Sequence, residues 1–352
     1  MPVYKNPDFR QPPPGLAAIF AAGGQQSFFS LPHWYDLLTR FGMPQGTEIR
    51  VYTDERPDSL IAIPLIVYGG KQRECLASLA NFYSVEHGIL AAPNANVEFG
   101  IEAILSEIAT ERPRWDRFDF TELDPNDPSY HALVRRFRRA GAMVECTAGV
   151  GTWYERTEGL GFADYLNERP TQLLNTWQRK RKKAKGAGTL TSAFLSDTSW
   201  IERAIAEYDT IYAASWKSPE PFPQFIPGLI RLAAELGALR LGIYYMDGVP
   251  AATQFWIVWG RRAIIYKLAH DKRFDSLSLG TLLTMDMIER VLSSDRPYEI
   301  NFGRGDDAYK RMWLPRRRQH CGITAANLRT LPGLRLALER EAAKVYHWLC
   351  RR

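Results

Sequence analysis

The sequence predicts an α/β protein with mixed sheets, built from one α/β unit used twice. Three observations carry this. Extended apolar runs alternate with amphipathic helical ones along all 352 residues. The stretches "LIAIPLIVYGGKQRECLASLAN" and "AATQFWIVWGRRAIIYKLAHD" share one order of strand, Gly turn and strand, alike in spacing and hardly in identity. A hydrophobic content of 45% over this length fills two cores of ordinary size.

In the first half, "FFSLPHWYDLLTRFG" predicts an N-capped amphipathic helix closed by Gly42. "EIRVYTDERPDSLIAIPLIVYGG" and "KQRECLASLANFYS" are extended runs separated by turn residues. The Gly- and Thr-rich segment "TAGVGTWYERTEGLGF" marks a boundary, giving domains at 1–150 and 151–330, followed by an amphipathic helix over 331–352. Beyond the boundary, "YLNERPTQLLNTWQRKRKKAKG" is a helix whose basic run ends at Gly186. Two amphipathic helices follow, "SWIERAIAEYDTIYAASWKS" and "QFIPGLIRLAAELG". In "LRLGIYYMDGVPAATQFWIVWGRRAIIYKLAHD", Asp-Gly favours the primed turns of hairpins, and "WGRR" is a second turn. The first half has no Ser-Gly turn leading into a long helix; "SVEHGILAAPNANVEFGIEAILSEIA" is the nearest thing, so that domain is expected to be structural and acceptor-shaping.

Composition excludes wholesale disorder, with 24% charged and 12% aromatic residues. A net charge of +6 permits an anionic partner without naming one. Cys75, Cys146, Cys321 and Cys350 lack CxxC or Cys/His spacing. They read as reduced thiols of a cytoplasmic protein, with neither a disulfide framework nor a metal site. No run approaches the roughly 20 apolar residues of a membrane helix. "GLAAIFAAGG" is short for a secretory signal and lies behind "QPPP".

In "LAHDKRFDSLSLGTLLTMDMIERVL" a strand passes through a turn into a helix. That order gathers unpaired backbone N–H groups at a positive helix end, where phosphates settle. Ser276 and Ser278 add hydroxyl donors and capping capacity, and Gly280 allows close approach to the backbone. Alone, such a turn is usually structural. The next segment, "RPYEINFGRGDDAYKRMW", is another strand ending in a polar cluster, where Gly303 and Gly305 flank Arg304 and present Asp306 and Asp307. Two strands that end in titratable clusters at one edge are where α/β proteins place ligands.

The order "W…DG.P.A..F.…YKLAHD…SLG.LL…I…NFGRGDDAYKRMW" resembles the GNAT acyltransferase superfamily. It is most similar to the two-domain branch of Fem-type (FemAB-like) aminoacyl transferases and of acetyltransferases associated with cellulose and exopolysaccharide synthesis. The resemblance implies tandem duplicated GNAT-like domains, with two neighbouring parallel strands that splay to admit the pantetheine arm of acyl-CoA. "AIIYKLAHD" would be the first splayed strand, "SLSLGT" the pyrophosphate turn and "YEINFG" the second strand. The donor contacts so implied are Leu268, Ala269, Ser276, Ser278, Leu279, Gly280, Thr281, Asn301, Gly303 and Lys310. Where the branch commonly has Ser-Pro-Gly this chain has Ser278-Leu279-Gly280, and it lacks the longer Gln/Arg-x-x-Gly-x-Gly/Ala loop of single-domain GNAT enzymes. Aminoacyl-tRNA is the donor in part of the branch.

Acyl transfer from a thioester to an amine needs a base, an oxyanion donor and an acid for the leaving thiolate. His270, Asp271 and Asp306 are the candidate bases; adjacent strand residues face opposite ways, so only one of His270 and Asp271 can act. A backbone-satisfied strand-end histidine is the bland reading of His270, and a turn or cap role that of Asp306 and Asp307. Tyr309 is the acid or a packing aromatic; Cys321 lacks a His partner and is discounted as a nucleophile. Trp216, Lys217 and Glu220, with Arg304 and Asp307, are candidate acceptor contacts. The basic run Arg179–Lys185 is a solvated face, or it meets the 3′-phosphate of CoA, an anionic acceptor or tRNA. With only Trp177 near it, tRNA is the weaker reading. The C-terminal helix is expected to pack on its own domain, with interfacial membrane contact the minority reading. The expected function is an acyl-CoA-dependent N-acyltransferase acting on an amine of a sugar or small metabolite, in surface polysaccharide synthesis. The alternatives are O-acyl transfer, a Fem-like tRNA-dependent transferase, and a catalytically inactive binding protein.

Overall fold

The computed structural model describes residues 1–23, 26–69 and 75–349. The turn expected at "GGKQRE" lies, from Gly70 to Glu74, outside the described residues, as do Cys350 and the two terminal arginines. Two compact units divide the chain: residues 1–150 with 319–352, and residues 151–318.

The first unit runs β1 (Val3–Lys5), α1 (Pro14–Gly23), α2 (Pro32–Phe41), β2 (Glu48–Asp54), β3 (Ile61–Tyr68), β4 (Cys75–Ser78), β5 (Leu90–Ala91), α3 (Val97–Thr110), β6 (Arg117–Leu123) and α4 (Pro128–Arg139). Strand β7 (Met143–Arg156) carries the chain into the second unit. There follow α5 (Phe162–Asn167), α6 (Thr171–Ala187), β8 (Leu190–Leu195), α7 (Ile201–Ala213), α8 (Phe225–Glu235), β9 (Leu239–Met246), β10 (Val249–Trp259), β11 (Arg262–His270), α9 (Leu279–Ser294) and β12 (Glu299–Asn301). Strand β13 (Arg316–Ala326) returns the chain to the first unit, which ends in α10 (Leu331–Leu349).

The expected boundary at residue 330 is therefore corrected. Residues 319–330 do not close the second domain, and α10 is not a separate piece. Cys321–Ala326 of β13 pairs antiparallel with Arg117–Leu123 of β6, inside the first unit. The physical reason is strand pairing between residues far apart in sequence, which local patterns do not encode.

Both units repeat one sheet. In the first, β1, β2, β3 and β4 pair antiparallel in succession, β4 pairs β6 in parallel, and β6 pairs β13 antiparallel. In the second, β8, β9, β10 and β11 do the same, β11 pairs β12 in parallel, and β12 pairs β7 antiparallel. The single parallel step in each is bridged by a helix, α3 or α9, as parallel neighbours require. This is the duplication that the sequence spacing predicts.

Local chemistry explains the elements. Asp247 and Gly248 have φ of 50° and 80°, and Gly260 and Arg261 have 55° and 60°. Both tight turns thus have the two left-handed positions of a type I′ turn, whose twist suits the flanking strands. The predicted helix at "FFSLPHWYDLLTRFG" breaks in two. Ser27 caps a 3-10 turn over Phe28–Ser30, and α2 starts at Pro32, whose missing N–H is no loss in a first helical turn; the N–H of Gly42 closes it on the Leu38 carbonyl at 2.9 Å.

Each unit has its own core. In the first, Ile61, Leu65 and Leu76 of the sheet meet Ile101 and Ile104 of α3 and Leu133 of α4. In the second, Trp256, Ile265 and Ile300 meet Leu282, Leu283 and Ile288 of α9. A Cβ on Gly242 would lie 2.7 Å from Met287 Sδ, so this glycine lets α9 settle close on β9. Among the described residues, no helix is long and apolar enough to cross a membrane.

Candidate functional site

The site is built on β11 and β12 of the second unit. They pair in parallel over Arg262–Glu299, Ala263–Ile300 and Ile264–Asn301, and there the ladder stops. Strand β11 runs on for six more residues, Ile265 to His270. Beyond Asn301 the other chain turns away: Phe302 N–H donates to the Trp153 carbonyl, and Gly303, at φ 57°, sends its N–H to Asn301 Oδ1 at 3.0 Å. Two parallel neighbours therefore part company midway, leaving the far half of β11 without that partner.

After β11 comes the turn. Asp271 is buried and caps a 3-10 turn over Lys272–Leu277, accepting from Arg273 N at 2.8 Å and pairing with the Arg273 guanidinium at 2.6 Å. Burial opposes ionisation of Asp271, but the side-chain and backbone hydrogen bonds of Arg273 outweigh it and hold the carboxyl below its usual range. Ser278 is left-handed, at φ 54° and ψ 46°, and its side chain makes no capping bond, contrary to the capping role expected of it. Its carbonyl instead takes the N–H groups of Thr281 and Leu282. The N–H groups of Leu279 and Gly280 meet no acceptor among the described residues. Those two amides open the helix.

Two elements hold the turn from outside. The amide of Gln254, wholly buried on β10, donates to the Gly280 carbonyl at 3.1 Å and to Thr284 Oγ1, and its oxygen accepts from Trp256 Nε1 at 2.8 Å. From the basic helix α6, Lys180 and Lys183 both donate to the Ser276 carbonyl, at 2.8 and 3.2 Å. His270 lies over the turn. Its Nε2 is 2.8 Å from Asp275 Oδ1, its ring is 4.6 Å from that of Trp216, and its Nδ1 lies 3.4 Å from where a Cβ on Gly280 would sit. Leu268 is half-buried and Ala269 fully buried, the latter registered on Thr253 of β10.

A second cluster gathers lysines. Lys267, in the stretch of β11 that β12 leaves, pairs with Glu220 at 2.6 Å, and Tyr212 OH donates to the same carboxylate at 2.6 Å. Lys217 lies 5.8 and 5.9 Å from the ring centres of Trp216 and Tyr212. Its ammonium is pushed down to about 8, by burial first and then by Lys267, against Glu220; Lys310 and Asp307 add smaller opposing influences. Lys217 thus senses charges on β11 and charges on the loop after β12.

That loop is stitched to itself. Lys310 is buried and reaches Asp307 Oδ2 at 3.1 Å and the Gly305 carbonyl at 3.2 Å, so its charge is spent on the loop. Asp306 makes a two-pronged pair with Arg317, which holds its carboxyl below the usual range. Arg304 and Asp307 are exposed. Tyr309 packs edge-on to Phe302, and its hydroxyl is pushed up to about 12 by desolvation and by the Asp307 carboxylate, although 43% of the residue is exposed.

Residues 172–311 match a family model described as an acetyltransferase (GNAT) domain. That stretch of the chain is similar to a GNAT domain. Solved structures extend the likeness to the whole length, as fold. FemX aligns at a TM-score of 0.61 with 8% identity, over 91% of this chain and 96% of that one. L-PGS from Bacillus licheniformis aligns at 0.54 with 11% identity, over 93% and 96%. A conserved protein of unknown function from Bacteroides thetaiotaomicron aligns at 0.55 with 11% identity, over 88% and 96%. No curated protein matches the chain.

Within residues 172–311, the structure brings His270, Trp216, Ser276, Ser278 and Gly280 to one turn, and Lys217, Glu220, Asp307 and Lys310 to the neighbouring cluster. Asp271 and Asp306 are consumed by arginines. Sequence reasoning missed Gln254, Asp275 and Lys267. A polar residue in the apolar run "AATQFWIVW" was the visible sign of Gln254; Asp275 and Lys267 left none.

Proposed function

We propose that residues 151–318 form an acyl-CoA-dependent N-acyltransferase of the GNAT type, acting in the cytoplasm on an amine of a sugar or small metabolite, in surface polysaccharide synthesis. The single observation that carries this reading is the parting of β11 from β12 beside a turn whose Leu279 and Gly280 amides are unmet. The gap suits an extended thioester arm. The amides, with Lys180 and Lys183 alongside, suit a pyrophosphate. Asp271 and Asp306 are poor bases because both are paired and held ionised. His270, at the turn, is a neighbour of the phosphates rather than of the distant thioester. Lys217 is the base of this reading: a lysine near 8 is partly neutral at working pH and can take the acceptor's proton. The freed amine attacks the thioester carbonyl, the C–N bond forms and the C–S bond breaks. Tyr309 gives its proton to the leaving thiolate and takes one back from the nitrogen that has become the amide. Glu220 and Lys267 hold the acceptor beside Lys217.

A second reading, aminoacyl-tRNA as donor, is favoured by one feature: the basic face of α6 lies directly on the turn. Thermal stabilisation by a series of acyl-CoA chain lengths, set beside tRNA retention and its salt dependence, decides. Stabilisation by an acyl-CoA supports the first reading. Steeply salt-sensitive tRNA binding without it overturns that reading in favour of the second.

A further inference from the structure

The first unit contains a pocket for which the acyltransferase reading has no use. It is a cavity of about 120 Å³, open on one side, between the last turns of α3 and α4 and the strands β6 and β13. Its walls are apolar: Leu105 and Ile108 from α3, Phe118 from β6 and Phe137 from α4, the two rings 5.0 Å apart. The volume is far above the roughly 10–15 Å³ that a single water needs, yet these walls offer water few partners. At the mouth stand Arg114 and Arg329. Both residues are exposed, and neither guanidinium has a hydrogen bond or ion pair among the described residues. A third arginine, Arg136, is already paired with Glu102 at 2.7 Å. The pocket is therefore a largely apolar slot with two uncommitted cations at its entrance.

We propose that this pocket binds the alkyl chain of a single-headed amphiphilic anion, with the carboxylate or phosphate head on Arg114 and Arg329. The chemistry is complementary on both counts. An alkyl tail gains by leaving water for the Leu105–Phe137 slot, at roughly 0.8 kcal/mol per buried methylene. A planar guanidinium pairs a carboxylate or phosphate by two parallel hydrogen bonds. Two sources supply such a ligand: a free fatty acid, or a lipid in a bilayer. The bilayer has a structural argument of its own. Two residues beyond Arg329, α10 exposes Leu331, Leu334 and Leu338 at 83%, 41% and 63%, spaced to lie along one helix face. This site does not depend on the donor reading of the second unit.

Trp115 lines the same pocket and reports on it. The test is tryptophan fluorescence and melting temperature of the full chain with decanoate, with decanol, and with phosphatidylglycerol vesicles. Two variants go alongside: Arg114→Gln/Arg329→Gln, and Ala140→Trp, which fills the pocket from an exposed position at the end of α4. The expected result is binding of decanoate but not decanol, weakened about tenfold or more in both variants. Vesicle binding lost in the same variants, without decanoate binding, supports the site with the bilayer as source. Equal binding of decanol, or ligand binding unchanged in both variants, overturns the proposal. So does the absence of binding to decanoate and vesicles alike.

Discussion

Gln254 holds Gly280. The amide of a fully buried glutamine on β10 donates to the carbonyl of the glycine that opens α9, at 3.1 Å, and its other end is fixed by the Trp256 indole. A central strand thereby sets the attitude of the turn that carries the two unmet amides.

Replacing Gln254 by Leu removes this anchor and leaves the Trp256 N–H buried without an acceptor. An unsatisfied buried donor costs on the order of 1–3 kcal/mol, and the misfit of shape adds to it. The expected outcome is a loss of about 2–4 kcal/mol in urea unfolding, with donor stabilisation reduced as well. An unchanged midpoint would mean the network contributes nothing.

Gly280 has room for a methyl group. A Cβ there meets only His270 Nδ1, at 3.4 Å. Gly280→Ala should keep both fold and donor binding, whereas Gly280→Trp should leave the far-ultraviolet spectrum intact and abolish stabilisation by acetyl-CoA. Full stabilisation in the Trp variant would remove the turn from the donor site.

Lys180 and Lys183 converge on one carbonyl, so two like charges sit close together and an anion beside them relieves the repulsion. Lys180→Gln/Lys183→Gln should weaken donor binding roughly tenfold at low salt and much less at high salt, where exposed charges are screened. A loss independent of ionic strength would point to packing instead. Titration calorimetry at two salt concentrations separates these outcomes.

Much of this was legible in the sequence, and the exceptions have causes. Asp247-Gly248 and Gly260-Arg261 announced their turns because left-handed φ narrows the choice of residue. The strand-turn-helix at 268–292 was legible from periodicity. The return of β13 to the first unit was not, since its partner Arg117–Leu123 lies some two hundred residues away in the chain. Asp271 was ambiguous for a different reason. An aspartate at a strand end can serve as base or cap, and only its contact with Arg273 decides. Lys217 was legible as a polar residue in a loop, but burial, which moves its titration, is a property of the fold.

Lys217 joins stability to activity. Its pKa falls from 10.5 to about 8 because the folded chain disfavours the charged form. The unfolded chain therefore binds more protons than the folded one between about 8 and 10.5, and stability rises with pH through that window. Below it, the charged lysine is a burden on the fold. Lys217→Met should stabilise the protein at pH 7 by roughly 1–3 kcal/mol, and the gain should shrink towards zero as pH climbs past the window. The same variant should lose acyl transfer by about a hundredfold or more. In the wild type, kcat/KM should rise with pH through about 8, the point at which Lys217 becomes neutral. Asp306→Asn should leave that profile where it is, since Asp306 is already held ionised by Arg317. A profile that Asp306→Asn shifts and Lys217→Met spares would assign the base to the wrong residue.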